Sequence, residues 1–246
     1  MSAGRLFLIP CTLSESTPPQ LVLPAAIIDR IRTLDTFVVE NAKSARAFLR
    51  ACGHPRPLRE LAMSELNEHT PAAAVAPLLA PLRAGKDVGL LSEAGAPAVA
   101  DPGSLLVAAA HAESIRVVPL AGPSSIILAL MASGLEGQRF RFVGYLPAQS
   151  RERRAALAEL EARSASADET QVFIETPYRN EQLLADVLAA CHEETRLAVA
   201  ADLTGASEWI RLDRIGAWRA RPTAIGKRPA VFMVQATPRG RKRYSA

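Results

Sequence analysis

Two short segments have the residue types that bring a backbone close to a small ligand. Leu90–Gly103, LLSEAGAPAVADPG, follows an apolar run and holds two glycines and two prolines. Glycine lacks a Cβ and admits a ligand close to the chain, while proline fixes φ and holds the neighbouring turns in shape. Pro119–Ser125, PLAGPSS, passes through a Gly-Pro turn into a segment whose first residues are serines. Ser124 or Ser125 there either caps a helix or contacts a ligand beside it. Neither segment has the GxGxxG spacing of a dinucleotide site or the GxxxxGK[ST] of a phosphate loop, so NAD and nucleoside triphosphates are disfavoured. His54, His69, His111 and His192 form no triad with a serine in a nucleophile elbow. Cys11, Cys52 and Cys191 show no CxxC pair and no histidine at a ligand spacing, which predicts reduced thiols and no metal.

The elements that must position these loops alternate. Arg5–Ile9 reads as a buried strand ending at Pro10, followed by a polar loop over Cys11–Pro19 and a periodic helix near Leu23–Thr33. Thr36–Glu40 is a β-branched run before a helix near Ser44–Cys52, and Pro71–Ala84 predicts a helix that stops at Gly85. Val88–Leu91 is the strand feeding the first loop, and Arg116–Pro119 feeds the second after a helix near Ser104–Ala112. Strand–helix alternation with apolar strands predicts a mostly parallel sheet covered on both faces, and loops at the carboxyl ends of such strands are where open α/β sheets bind ligands. After a helix over Ser125–Ser133 and Gly134 the pattern restarts. Strands at Arg141–Gly144 and Gln171–Glu175 alternate with helices at Arg151–Arg163 and Asn180–Cys191. Three further strands, Leu197–Asp202, Glu208–Leu212 and Ala230–Ala236, with one short helix at Arg214–Ala220, predict a second, more antiparallel domain.

The 246 residues are 49% hydrophobic and 22% charged, which is enough apolar material for sizeable cores in one or two domains. The longest apolar stretches, such as Ile126–Ala132, fall far short of the ~20 residues of a membrane span, and the short apolar run after Arg5 does not make a secretory signal. A soluble, cytoplasmic protein is expected. The formal charge is +4, and Arg239, Arg241, Lys242 and Arg243 make the end of the chain basic: either a solvated tail or a nucleic-acid contact. Arg151, Arg153 and Arg154 offer the same choice between RNA backbone contacts and the polar face of a helix.

Four runs in register, LLSEAGAPAVADPG, IRVVPLAGPSSIILALMASGL, FVGYLPAQSRERR and VFIETPYR, resemble the tetrapyrrole (corrin/porphyrin) methylase-like family, in the branch of the ribosomal small-subunit RNA 2′-O-methyltransferases. The similarity spans most of residues 5–236. It implies a homodimer whose subunits each have an N-terminal α/β domain with a mostly parallel sheet, residues 1–121, and a C-terminal one with a mixed sheet, residues 122–246. S-adenosylmethionine is expected in a cleft between them. By position, the resemblance assigns Pro10, Ser92, Glu93, Gly95, Pro97, Val99 and Asp101 to the amino-acid end of the cofactor, with Gly122, Ser124 and Ser125 beside them. Tyr178, Leu203, Thr204, Pro229 and Ala230 fall around the adenine. RNA is the implied acceptor; a small molecule such as a tetrapyrrole, or cofactor binding without catalysis, are the alternatives.

The acceptor side departs from the pattern. Pro10–Cys11–Thr12–Leu13–Ser14–Glu15 stands where PxGNLxD is usual, Glu40–Asn41–Ala42–Lys43 where an EDTR-like segment is expected, and Gly226–Lys227–Arg228–Pro229 replaces a KGE segment. No counterpart of the ribosomal enzymes' small C-terminal domain is recognisable. Methyl transfer from a sulfonium is an in-line displacement that needs chiefly positioning, with a base if the acceptor is a hydroxyl. Glu40, Lys43 and Glu175 are the residues available for that role, and Glu40 is preferred because it ends a strand at a matched position.

Overall fold

A computed structural model describes residues 3–237, so the basic run from Arg239 to Arg243 lies outside the described residues. The chain divides into two compact units after Ser124. The first unit runs β1 (Leu6–Ile9), α1 (Ala25–Arg32), β2 (Thr36–Val39), α2 (Ala42–Ala51), β3 (Ala62–Glu65), α3 (Ala80–Arg83), β4 (Val88–Leu91), α4 (Gly103–Ala112) and β5 (Val117–Pro119). Its five strands are parallel throughout, in the order β3-β2-β4-β1-β5, with Leu6 opposite both Val88 and Val117.

Side chains alternate across a strand, so each apolar run feeds two cores. Phe7, Ile9, Phe37, Val39 and Leu91 pack under Ile28 and Ile31 of α1 and Phe48 and Leu49 of α2. Leu6, Val38, Val88 and Leu90 pack on the opposite face, with Leu82 of α3 and Leu106 and Ala110 of α4. Gly89 lies between the central strands because a Cβ there would press on Ile9 Cδ1 at 2.6 Å and Phe37 Cδ1 at 2.8 Å. Asn41 caps α2, its Oδ1 accepting from the Lys43 and Ser44 amides.

Two features of this unit differ from the sequence expectation. β3 has no alternating pattern because it is an edge strand whose side chains stay largely in solvent. The helix expected over Pro71–Ala84 is instead a pair of 3₁₀ turns, Ala72–Ala74 and Ala76–Leu79, followed by the single turn of α3. Pro77 and Pro81 supply no N–H to an α-helical ladder, and the apolar period survives without the helix.

The second unit runs α5 (Ser125–Ser133), β6 (Phe140–Tyr145), α6 (Ser150–Ala167), β7 (Thr170–Glu175), α7 (Asn180–Ala190), β8 (Arg196–Ala201), β9 (Trp209–Arg214), α8 (Ile215–Ala220) and β10 (Ala230–Gln235). Its sheet, β6-β7-β10-β8-β9, is mixed: β6 and β7 are parallel and the other pairs antiparallel. Phe173, Phe232 and Val199 point to the side filled by Leu157, Leu183, Val187 and Trp218, and α5 packs on β8, β9 and β10. Phe173 and Phe232 stack with centroids 5.9 Å apart. Among the described residues no helix is long and apolar enough to cross a membrane.

Arg151, Arg153 and Arg154 do not form one solvent-facing set, because Arg153 turns inward. Arg153 is fully buried, its Nε and Nη2 2.8 and 2.5 Å from Asp186 Oδ2, and its Nη1 donates to the carbonyls of Pro147 and Ala148. Arg154 Nε lies 2.6 Å from Asp186 Oδ1, which also accepts from Ser150 Oγ. Only Arg151 is left facing solvent without one of these bonds. A helix whose first turn is charged on every side conceals from sequence which arginine turns inward to meet an acid 33 residues away. Burial pushes the Asp186 carboxyl upward, but the bonds from Ser150, Arg154 and Arg153 outweigh it and hold the group below the usual carboxylate range. Asp186→Ala leaves Arg153 buried without its counter-ion and is expected to cost about 3–5 kcal/mol in urea unfolding at neutral pH. The deficit should shrink as pH falls below ~4, because a depressed carboxyl stabilises only above the unfolded-state value and loses that contribution on protonation. A variant as stable as the parent at pH 7 would contradict the assignment.

Candidate functional site

Because every strand of the first sheet is parallel, the carboxyl ends of β1, β2, β4 and β5 share one edge, and four loops leave from it. They carry Pro10 and Cys11, Glu40, Ser92–Gly103, and Leu120–Ser124. The first and third are stitched together: Cys11 N–H donates to Gly95 O at 2.9 Å and Gly95 N–H to Cys11 O at 3.2 Å, an isolated antiparallel bridge beyond the parallel ladder. Cys11 Sγ donates to Ser92 O at 3.2 Å, and burial pushes its thiol far above the ordinary range. It is a structural group. Sequence reading gave Cys11 only a reduced thiol and a place in the altered acceptor-side loop, although the alternation Phe7, Ile9, Cys11 puts it on the inner face.

The Ser92–Gly103 loop holds three left-handed residues, Gly95 at φ 70°, Ala98 at 65° and Ala100 at 62°. Alanine pays a steric penalty there, and Asp101 compensates. Its carboxylate accepts from Ala98 N–H at 2.9 Å and Gly103 N–H at 2.7 Å. Burial raises the Asp101 pKa and those two bonds oppose the rise. Asp101 is thus committed to shaping its own loop. Ser92 and Pro97 are buried, Glu93 and Val99 exposed, and a Cβ on Gly95 would stand 3.1 Å from Leu13 and 3.7 Å from Pro123 O. Gly122 is packed on Pro10 and Leu23, where no Cβ fits. The two segments singled out by sequence, Leu90–Gly103 and Pro119–Ser125, therefore meet on one sheet edge as far as Ser124, with Pro10 between them; Ser125 opens α5.

Glu40 follows β2 beside this loop. Its amide donates to Leu91 O at 3.0 Å and its Oε2 accepts from Glu93 N–H at 3.0 Å. The side chain is half-buried, and burial raises its pKa; the Glu93 amide opposes the rise, while the charges of Asp101, Glu93 and Glu68 add to it. Lys43 is exposed on the first turn of α2. Glu175, the third residue considered as a base, is committed elsewhere: its Oε1 accepts from Thr176 N–H, Thr176 Oγ1 and the Arg179 guanidinium at 2.7 Å.

In the second unit, β10 runs against β7 and β8, so the ends of β7 and β8 and the start of β10 share an edge, with Ala230 opposite both Glu175 and Ala201. Tyr178 stands 71% exposed in a 3₁₀ turn after β7, with the Arg179 guanidinium 5.6 Å from its ring. Leu203 is buried, and Thr204, left-handed at φ 66°, donates its N–H to Glu208 Oε2. Pro229 O accepts from Asp202 N–H at 2.9 Å. The five positions assigned to the adenine thus come from three loops on one edge of this sheet.

Comparison with known proteins follows the same lines. A family profile described as "Tetrapyrrole (Corrin/Porphyrin) Methylases" matches residues 23–217. A protein of Xylella fastidiosa named Ribosomal RNA small subunit methyltransferase I is 40% identical over 70% of this chain and 59% of its own length. Its namesake from Escherichia coli O157:H7 is 32% identical over 87% of this chain and 71% of its own. The chain thus spans about three fifths to seven tenths of the relatives it matches. Among solved structures, uroporphyrin-III C-methyltransferase from Thermus thermophilus complexed with S-adenosyl homocysteine is similar at TM-score 0.54 and 16% identity, over 94% of this chain and 97% of that one. A conserved hypothetical protein from Aeropyrum pernix K1 is similar at TM-score 0.66 and 15% identity, over 97% and 86%. These likenesses concern the fold. With the profile spanning most of the sequence and relatives at 32–40% identity, the chain belongs to the tetrapyrrole (corrin/porphyrin) methylase family.

Proposed function

We propose that this chain is an S-adenosylmethionine-dependent methyltransferase, working as a cytoplasmic homodimer, whose acceptor is a ribose 2′-hydroxyl of small-subunit ribosomal RNA. The observation that carries the reading is membership of a methylase family together with relatives named as ribosomal RNA small-subunit methyltransferases over most of the chain. The residues at the two sheet edges suit such a cofactor. Val99 and Tyr178 are 48% and 71% exposed, large apolar surfaces standing at strand ends where a nucleoside or a methionine chain would cover them. The left-handed turns at Gly95, Ala98 and Ala100 fall at residues with no side chain beyond a methyl group. In this reading Pro10, Ser92, Glu93, Gly95, Pro97, Val99, Gly122, Ser124 and Ser125 hold the amino-acid end, and Tyr178, Leu203, Thr204, Pro229 and Ala230 hold the adenine. Asp101 acts through the loop.

The bound sulfonium supplies the methyl group. The chain's own part is to hold the acceptor hydroxyl ~3 Å from that carbon and in line with the departing sulfur, which removes most of the entropic barrier. Glu40 takes the hydroxyl proton in this scheme. Its Oε2 is oriented by the Glu93 amide, and its raised pKa makes it a stronger base than a solvated carboxylate.

Glu40→Gln separates this role from a structural one. A carboxyl whose folded-state pKa is raised favours the protonated fold, so its ionisation removes stability as pH rises through the folded value. The variant should therefore melt higher than the parent at pH 7 and gain nothing below pH ~4, while methyl transfer falls about 10²-fold or more. Undiminished turnover would exclude Glu40 as the base. For the acceptor, small ribosomal subunits lacking their modification should receive tritiated methyl groups into RNA when incubated with the purified protein. Label appearing in a small-molecule fraction when cell extract is supplied instead would replace RNA by a tetrapyrrole-like acceptor, the alternative that the altered Pro10–Glu15 loop motivates. Tight binding with no transfer to any fraction would make the protein a cofactor-binding module.

A further inference from the structure

The turn that delivers Pro229 and Ala230 is gripped by the first two residues of α7. Asn180 is fully buried, and its Nδ2 donates to Gly226 O at 3.0 Å and Arg228 O at 2.7 Å. Glu181 reaches the same turn from outside, Oε1 accepting from the Ile225 and Gly226 amides at 2.7 Å each. One side chain thus satisfies carbonyls and its neighbour satisfies amides, around a left-handed Gly226 at φ 71°. The turn is also tied to the loop after β8: Arg228 Nη1 donates to Ser207 O at 3.1 Å and Asp202 N–H to Pro229 O at 2.9 Å. Arg228 Nε closes the turn on Ile225 O, and its guanidinium lies 5.6 Å from the Trp209 ring.

These bonds join the three loops that carry Tyr178, Leu203–Thr204 and Pro229–Ala230. Tyr178 is two residues before Asn180, so a single rigid step connects it to the grip. We propose that Asn180 and Glu181 are positioning residues for the nucleoside half of the cofactor: they set the spacing of the three loops assigned to it without touching it. This rests on the reading of that edge as the adenine site. A structural brace with no bearing on ligand would show its loss in stability alone; a positioning pair shows it in affinity for anything containing the adenosine group.

Glu181 is exposed, so Glu181→Ala tests the grip without hollowing the core, and Glu181→Gln keeps the accepting oxygen. Calorimetric titration with S-adenosylhomocysteine and with 5′-methylthioadenosine should give dissociation constants raised about tenfold for Glu181→Ala with both ligands, as expected for lost hydrogen bonds of a positioning group. Glu181→Gln should restore both to within about threefold of the parent, and Asn180→Ala should weaken both ligands alike. In turnover assays Glu181→Ala should raise the KM for S-adenosylmethionine and leave kcat at saturation within about twofold. Folded Glu181→Ala protein that binds both ligands as the parent does overturns the proposal while leaving the cofactor reading intact. A parent protein that binds neither ligand overturns the cofactor reading and this proposal with it.

Discussion

The reciprocal backbone pair between Cys11 and Gly95 governs the geometry of the N-terminal unit. Parallel strands leave their carboxyl ends open, and the loops that follow would otherwise diverge toward helices on opposite faces of the sheet. Two hydrogen bonds draw the loop after β1 onto the loop after β4, and the neighbouring contacts of Gly95 with Pro123 and of Gly122 with Pro10 add the loop after β5 to the same group. Glu40 extends it to β2 through the Glu93 amide. The loops after β1, β2, β4 and β5 are thus held to one another beyond strands whose apolar side chains feed two cores.

The C-terminal unit solves the same problem with side chains. Its sheet is mixed, so loops entering and leaving strands alternate along the edge, and each needs its own anchor. Asn180 and Glu181 supply one, Glu175 with Arg179 another, and Arg228 a third. Further from that edge, the Arg153–Asp186 pair ties α6 to α7 at the price of desolvating two charges.

Much of this was legible in the amino-acid order because buried parallel strands are apolar and short, and because glycine and proline punctuate the loops at their ends. β1, β2, β4, β5 and β10 each stand in the sequence within a residue of where they fold, and the two Gly-Pro-rich segments meet in space. What escaped had weak local signals. β3 is an exposed edge, the prolines of 72–83 preserve a helical period while preventing a helix, and α6 runs on to Ala167 because Asp168 turns left-handed at φ 51°. Partnerships across long separations were hidden too. Nothing in the residue order tells that Arg153 points inward to meet Asp186, 33 residues further on.

The choice of alanine over glycine at two left-handed positions, 98 and 100, bears on how the loop would meet the proposed cofactor. Glycine would relieve the steric penalty, roughly 1 kcal/mol at each, yet would also widen the range of shapes open to the unbound loop. With alanine, the chain gives up some folding stability and retains less freedom to lose when a small molecule arrives. Affinity can then come from few direct contacts, since ordering of the loop has already been met during folding.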